Sequence, residues 1–229
     1  MAKRFFENVD VEAAGAGYVV KLDGRVLKTP GKMDLSFASK NRANLVAAEW
    51  RAQGEDILPD TMPCTRLINV ACEQTPSRRG ELAREFRAYT STDLLCYRSH
   101  NPKDLAARQE KSWQPVLDYA ADNHAIALAT TTGIKAVEQP EKSLNNAVDY
   151  AQALGNTDLT LLLHFTASYG SAILALSVME RHLHVDAAFA LSRLDEIFQN
   201  ERWGADDEAV ENNYLLLNEL SLMAQLIEE

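Results

Sequence analysis

Cysteine is scarce in this sequence, and the few that occur form no pattern. Cys64, Cys72 and Cys96 are an odd set of three, with no Cys-x-x-Cys pair and no histidine cluster at ligand spacing. That argues against a disulfide scaffold and a cysteine metal centre, and it points to a reducing compartment. Positive charge is short as well: 23 Lys and Arg stand against 33 Asp and Glu, a formal charge of −10. A chain of that sign repels phosphate, so DNA, RNA and anionic membrane surfaces are poor partners. The opening MAKRFFENVDV carries neither the apolar stretch of a secretory signal nor an Arg/Ser-rich amphipathic lead. The expectation is therefore a complete, untargeted cytoplasmic chain.

Signatures of catalysis are missing too. Gly15-Ala16-Gly17 lacks the third glycine and the strand-to-helix setting of a dinucleotide fingerprint, no Walker glycine-lysine loop is present, and a plain turn is expected at 15–17. Tyr169-Gly170-Ser171 lacks the flanking spacing of a nucleophile elbow, and Ser171 falls inside a long helical period, so it reads as a packing residue. His182 and His184, two apart, would face opposite ways on a helix and read as surface histidines. His164, on an apolar helix, reads as a hydrogen-bonded core histidine, with a catalytic base as the alternative. No cofactor and no metal are expected.

What the sequence does hold is apolar mass and helical period. Hydrophobic residues make up 46% of 229 residues, enough for one large or two small domains. The first 40 residues alternate and turn, and Asp23-Gly24 between GYVVKL and RVLKTP is a hairpin signal, since a type I′ turn needs positive φ at both central residues. Ser39 is placed to cap a helix whose Ala43, Val46, Ala47 and Trp50 share a face, with Gly54 as its stop. A second helix is expected over 61–73, with Pro76 separating it from helical SRRGELAREFRAY, and DLLCYR at 93–98 reads as β-like. Beyond Pro102 glycine and proline thin out and long helical periods take over. Helices are predicted over 103–123, kinked or split at Pro115, and over 140–154, 158–181, 186–203 and 206–228. The fold class is α+β: a small antiparallel sheet with helices over residues 1–95, then a mostly α-helical domain over 96–229.

Two stretches bear on function. Leu159–Met179 carries no charged residue and reaches the roughly 20 residues of a membrane span. Its Thr160, His164, Thr166, Ser168, Tyr169, Ser171 and Ser177 make a buried helix the better reading. Asp195, Glu196 and Glu201 form an acidic group on the predicted helix over 186–203. There Ala190, Leu194, Ile197 and Phe198 define the apolar arc, and Glu201 falls near its centre. A carboxylate so placed must meet an arginine, reach a groove or await a partner, unless the helix frays before Gly204 and Glu201 finds water.

Five ordered segments carry a resemblance: LDGRVLKTP (22–30), AAEWRAQGEDILPDTMPCTRLIN (47–69), TDLLCYR (92–98), RQEKSWQPVLDY (108–119) and SRLDEIFQNERWG (192–204). Together they resemble the ATP-twelve family of chaperones that assist assembly of the catalytic sector of F-type ATP synthase. The resemblance implies a non-enzymatic factor that binds the free alpha subunit and keeps it from aggregating before it meets the beta subunit. It implies an N-terminal α/β part and a helical C-terminal part. The family's acidic helix segment is met here by Asp195, Glu196, Gln199, Glu201, Trp203 and Gly204. Family members are mitochondrial or alphaproteobacterial, and without a transit peptide this one reads as bacterial and cytoplasmic. Glu201, Glu196, Asp195, Trp203 and Arg66 are thus the candidate partner-binding residues, with Trp50 a further candidate that its helical stripe assigns to the core. The competing reading is a small-molecule enzyme with Asp93, His164 and Glu196 as acid/base groups in a cleft between the two parts.

Overall fold

The structure, a computed structural model, describes residues 2–133 and 135–227. The chain divides into two compact units, Met1–Ser77 with Leu222–Glu229, and Arg78–Ser221. The change of composition near residue 95 therefore falls inside the second unit. Side-chain chemistry explains why: Arg79 donates to Asn156 Oδ1 at 2.7 Å and to the carbonyls of Gln152 and Leu154 at 2.8 and 2.7 Å, and Arg87 holds the Glu141 carboxylate at 2.9 Å.

In the first unit β1 (Ala2–Lys3) pairs antiparallel with a later strand, and β2 (Val9–Ala14), β3 (Gly17–Leu22) and β4 (Arg25–Val26) form an antiparallel meander. Asp23 and Gly24 both have positive φ, 47° and 79°, as the predicted hairpin requires. The turn at 15–17 joins β2 to β3 as expected. α1 (Lys40–Arg51) lies across β2 and β3, with Ala43, Val46 and Ala47 fully buried and Ser39 Oγ accepting from Arg42 N at 3.2 Å. The helix does not run to Gly54. Gln53 stops it, because its side chain donates to Glu49 O at 3.1 Å and accepts from Leu58 N at 2.7 Å. β5 (Asp56–Ile57), the partner of β1, and a 3-10 turn lead into α2 (Pro63–Glu73). Residues 222–227 return to this unit: Arg42 Nε donates to Leu226 O at 3.0 Å, and Leu226 is fully buried.

α3 (Thr75–Ser91) begins one residue after α2 ends, so Pro76 sits in its first turn rather than between helices. A missing N–H costs nothing there. In the second unit Leu94–Cys96 forms a 3-10 turn, so of the stretch 93–98 only β6 (Tyr97–Arg98) is a strand, and it pairs in parallel with β7 (Thr131–Thr132). Between them α4 (Lys103–His124) continues past Pro115 as one helix. α5 (Glu141–Ala153) follows as predicted.

Two predicted long helices are each broken. The apolar stretch over 159–179 is α6 (Asn156–Tyr169) and α7 (Ala172–Met179), divided where Gly170 takes φ 66° and Ser171 turns extended to cap α7, accepting from Leu174 N at 3.0 Å. Ser171 is thus a cap rather than a packing residue. Leu159, Leu161, Leu162, Phe165, Ile173 and Leu174 have no exposed surface. No helix among the described residues is long and apolar enough to cross a membrane. The span predicted over 186–203 is α8 (Val185–Ser192) and α9 (Leu194–Trp203), parted at Arg193, and Gly204 ends α9 with φ 88°. α10 (Asp207–Ala224) closes the chain.

Candidate functional site

The acidic segment lies on α9, and α4 supplies its counterpart. Asp104 and Arg108 stand four apart on α4, as do the buried Leu105 and Gln109, so two adjacent stripes of that helix run side by side. On α9 the matching positions are Asp195, Phe198, Glu201 and Arg202. Gln109 Nε2 donates to Asp195 Oδ1 at 2.7 Å, Arg108 Nη1 donates to the Glu201 carboxylate at 2.7 and 2.9 Å, and Arg202 pairs with Asp104. The Arg202 guanidinium also lies 4.2 Å from the centre of the buried Phe198 ring. The three polar pairs form a ladder between α4 and α9, and Phe198 on α9 and Leu105 on α4 are both buried.

Glu201 does share the arc of Leu194 and Phe198, yet it is exposed rather than buried. That arc leaves the core in the last turn of α9, so the carboxylate meets arginine and water together. The hydrogen bond from Arg108, aided by its charge, holds the Glu201 carboxyl below the usual carboxylate range, and the same bond raises Arg108. Asp195 and Glu196 are half-buried and committed elsewhere: Asp195 to Gln109, and Glu196 to Asn213 Nδ2 at 2.7 Å, with Arg193 3.8 Å away. Trp203 is 76% exposed. Arg66 belongs to the other unit, half-buried on α2. Trp50 is half-buried on α1, edge-on to Phe6 with centroids 5.5 Å apart.

Of the acid/base trio, Asp93 is closed to a substrate. Asp93 has no exposed surface, and its two oxygens accept from Ser171 Oγ at 2.9 and 3.0 Å, Ile173 N at 3.0 Å and Leu95 N at 3.0 Å. Burial pushes its carboxyl up to about 6 while these donors pull it down. Glu196 is held by Asn213, and His164 is half-buried on α6. His182 stacks on Tyr119 with centroids 3.6 Å apart, and His184 Nδ1 meets Asp186 at 2.7 Å. Among the described residues no group of three or more His, Cys, Asp or Glu is placed to hold a metal.

Sequence reasoning missed Arg108, Asp104 and Arg202, the cations and acid that organise the ladder. The signal was available in part, because Arg108 and Gln109 open one of the five resembling segments and Asp104 stands four residues before Arg108.

The sequence profile described as ATP12 chaperone protein matches residues 3–121, more than half of the chain. The chain belongs to the ATP12 chaperone family. Its matched span takes in the α4 side of the ladder and stops before α9, but whole-chain likenesses extend further. The structure of Atp12 from Paracoccus denitrificans is similar with a TM-score of 0.92 and 35% identity, over 98% of this chain and 96% of that one. A single-site aspartate-to-lysine mutant of the same protein gives the same values, TM-score 0.92 and 35% identity over the same 98% and 96%. The mitochondrial protein atp12 of Schizosaccharomyces pombe is 24% identical over 98% of this chain and 81% of its own length. The ATP12 fold thus includes α9 and α10 as well as the segment the family profile covers.

Proposed function

We propose that this ATP12 protein is a cytoplasmic assembly chaperone that binds the free alpha subunit of F-type ATP synthase and keeps it competent to join the beta subunit. It does so without catalysis and without a cofactor. The observation that carries the reading is the last turn of α9, which leaves a charged carboxylate and an indole both exposed on a helix whose Leu194 and Phe198 are buried. Glu201 is oriented by Arg108 yet exposed, and Trp203 is 76% exposed. An exposed tryptophan is the kind of residue that interface centres favour, and an oriented charge on the same turn suits the rim, where it steers encounter. Asp195 and Glu196 serve this surface indirectly, by fixing α9 against α4 and α10. Arg66 is a second contact candidate on the other unit.

A holder has to cover surface that the client's neighbour will later cover, and release it. The test is light scattering of alpha subunit diluted from denaturant, with and without the chaperone. Suppression of aggregation near equal molar ratio, with little effect on unrelated clients, is expected. Equal protection of every client, or none of the alpha subunit, overturns the reading.

A further inference from the structure

Among the described residues, the large apolar side chains left exposed in the second unit fall in one short span of sequence. Trp203, Val210, Tyr214 and Leu215 are 76%, 50%, 60% and 55% exposed, and all lie in the short span from the end of α9 into the middle of α10. Val210 and Tyr214 stand four apart on one stripe of α10, and Leu215 borders it. The helix does not need this side for its own packing. Other positions anchor it: Asn213 bonds Glu196 at 2.7 Å and Arg193 at 3.4 Å, Leu220 is fully buried and Met223 is 3% exposed. A large aromatic and aliphatic set exposed on a helix that other residues anchor is a surface made for covering.

Charge says what covers it. After Arg202 the chain contains no lysine or arginine at all, while Asp206, Asp207, Glu208 and Glu211 follow at once. Asp206 caps α10, accepting from Ala209 N at 2.9 Å, and Asp207 and Glu208 suit the helix N-terminus. Glu211 has no such role, and it stands beside Val210 on the exposed side. Arg202, the last cation before the patch, is committed to Asp104 and the Phe198 ring. The exposed charges on the first turns of α10 are therefore negative, and the nearby cations Arg202 and Arg193 are engaged with Asp104 and with Glu196 and Asn213. A second copy would bring like charge against like, and anionic lipid or nucleic acid would be repelled.

We infer that the outward face of α10, with Trp203 at its edge, docks a cationic amphipathic segment of the client protein, its apolar residues on Val210, Tyr214 and Leu215 and its lysines or arginines on the acidic rim. This deepens the proposed function and rests on it. The rim would govern encounter and salt dependence, and the apolar set would govern residence.

The test uses the full chain and a synthetic peptide of about five helical turns with leucine at i, i+3, i+4 and i+7 and lysine elsewhere. Binding is read from the emission of Trp203, isolated by comparison with Trp203→Phe, since Trp113 is 1% exposed and Trp50 half-buried. A blue shift that weakens with salt is expected with the lysine peptide and not with its glutamate counterpart or a scrambled one. Val210→Lys with Leu215→Lys should weaken binding about tenfold or more with the melting temperature kept, and so should the charge-only change Glu211→Lys to a lesser degree. The same variants should lose protection of the alpha subunit. If the unaltered chain fails to protect alpha subunit, the proposed function falls whatever α10 does. If it protects and the folded α10 variants protect as well, only this inference falls. Concentration-dependent dimers abolished by the variants, or binding to anionic vesicles, would also overturn it.

Discussion

Replacing Asp93 by Asn tests how the second unit is held at its centre. Asp93 has no exposed surface and joins two places far apart in sequence. It caps the 3-10 turn at Leu95 N, and it receives Ser171 Oγ and Ile173 N at the start of α7. The turn between α6 and α7 depends on that contact, because Ser171 in turn caps Leu174 N. Asparagine keeps the shape but exchanges one acceptor oxygen for a donor, which must face a donor already there. An orphaned buried donor costs about 1–3 kcal/mol, and with the opposed pair the loss should be about 2–4 kcal/mol. The pH dependence has a definite sign. Burial raises the folded carboxyl from 3.8 to about 6, so the stability tied to protonating Asp93 is fully present below pH 4 and is lost as pH rises through 6. That contribution is about 3 kcal/mol by linkage. Urea unfolding followed by the buried Trp113 reports this unit, and parent minus variant cancels the other titrating groups. The gap should widen as pH falls from 7 to 4. A constant or narrowing gap would refute the reasoning, since it would mean that the donors around Asp93 outweigh its burial.

Glu49→Ala should cost the first unit about 2–3 kcal/mol, because the Glu49 carboxylate accepts from Cys64 N, Thr65 N and Thr65 Oγ at 2.7, 2.7 and 2.6 Å and is the cap that α2 otherwise lacks. Circular dichroism through a denaturant titration measures this, and a loss no greater than that of an exposed control such as Glu12→Ala would refute it. Thiol labelling of the native chain should modify Cys72 first: burial pushes Cys96 up to about 12 and Cys64 higher still, whereas Cys72 is half-buried and raised less. Fast labelling of Cys64 or Cys96 without unfolding would contradict their placement. Glu201→Lys should leave the melting temperature almost unchanged, since the pair with Arg108 is exposed, and should weaken alpha-subunit binding more than Glu201→Gln does. A stable Glu201→Lys chain that protects alpha subunit like the parent removes Glu201 from the interface.

Local rules were legible where one residue type has one use. Asp23-Gly24 had to be a hairpin turn, Ser39 had to cap, and Gly204 had to end a helix, because each rests on backbone geometry settled within a few residues. Periodicity failed where it runs smoothly across a break. Nothing in the apolar period over 159–179 distinguishes one helix from two, and the deciding residue, Asp93, lies 78 positions from Ser171. Arg193 gave no warning either, being neither glycine nor proline. Gln53 displaced Gly54 as a stop through side-chain bonds to Glu49 and Leu58 that no propensity describes. At the candidate site the sequence named the acidic side and left out its partners, because α4 and α9 are about 90 residues apart and an ion pair across them has no period to read.

The pairing of Glu201 with Arg108 bears on what binding there can mean. A carboxylate with an internal cation has lost part of its appetite for an external one, and a partner arginine would have to share Glu201 rather than claim it. Two features make sharing workable. The carboxylate accepts both of its present bonds from a single guanidinium nitrogen and remains exposed, so lone pairs on both oxygens stay open to further donors. The pair also fixes where those lone pairs point, and a preoriented acceptor loses less side-chain entropy on binding than a free glutamate would. Arg108→Ala separates the two effects. If Arg108 only competes, its removal frees Glu201 and tightens client binding. If it positions Glu201, removal weakens binding although a competing cation is gone. The exposure of Glu201 in the last turn of α9, where few other contacts limit its rotamers, favours the second outcome, and client affinity for Arg108→Ala measured beside Arg108→Lys decides it, with lysine restoring the charge but not the planar fork that orients the carboxylate.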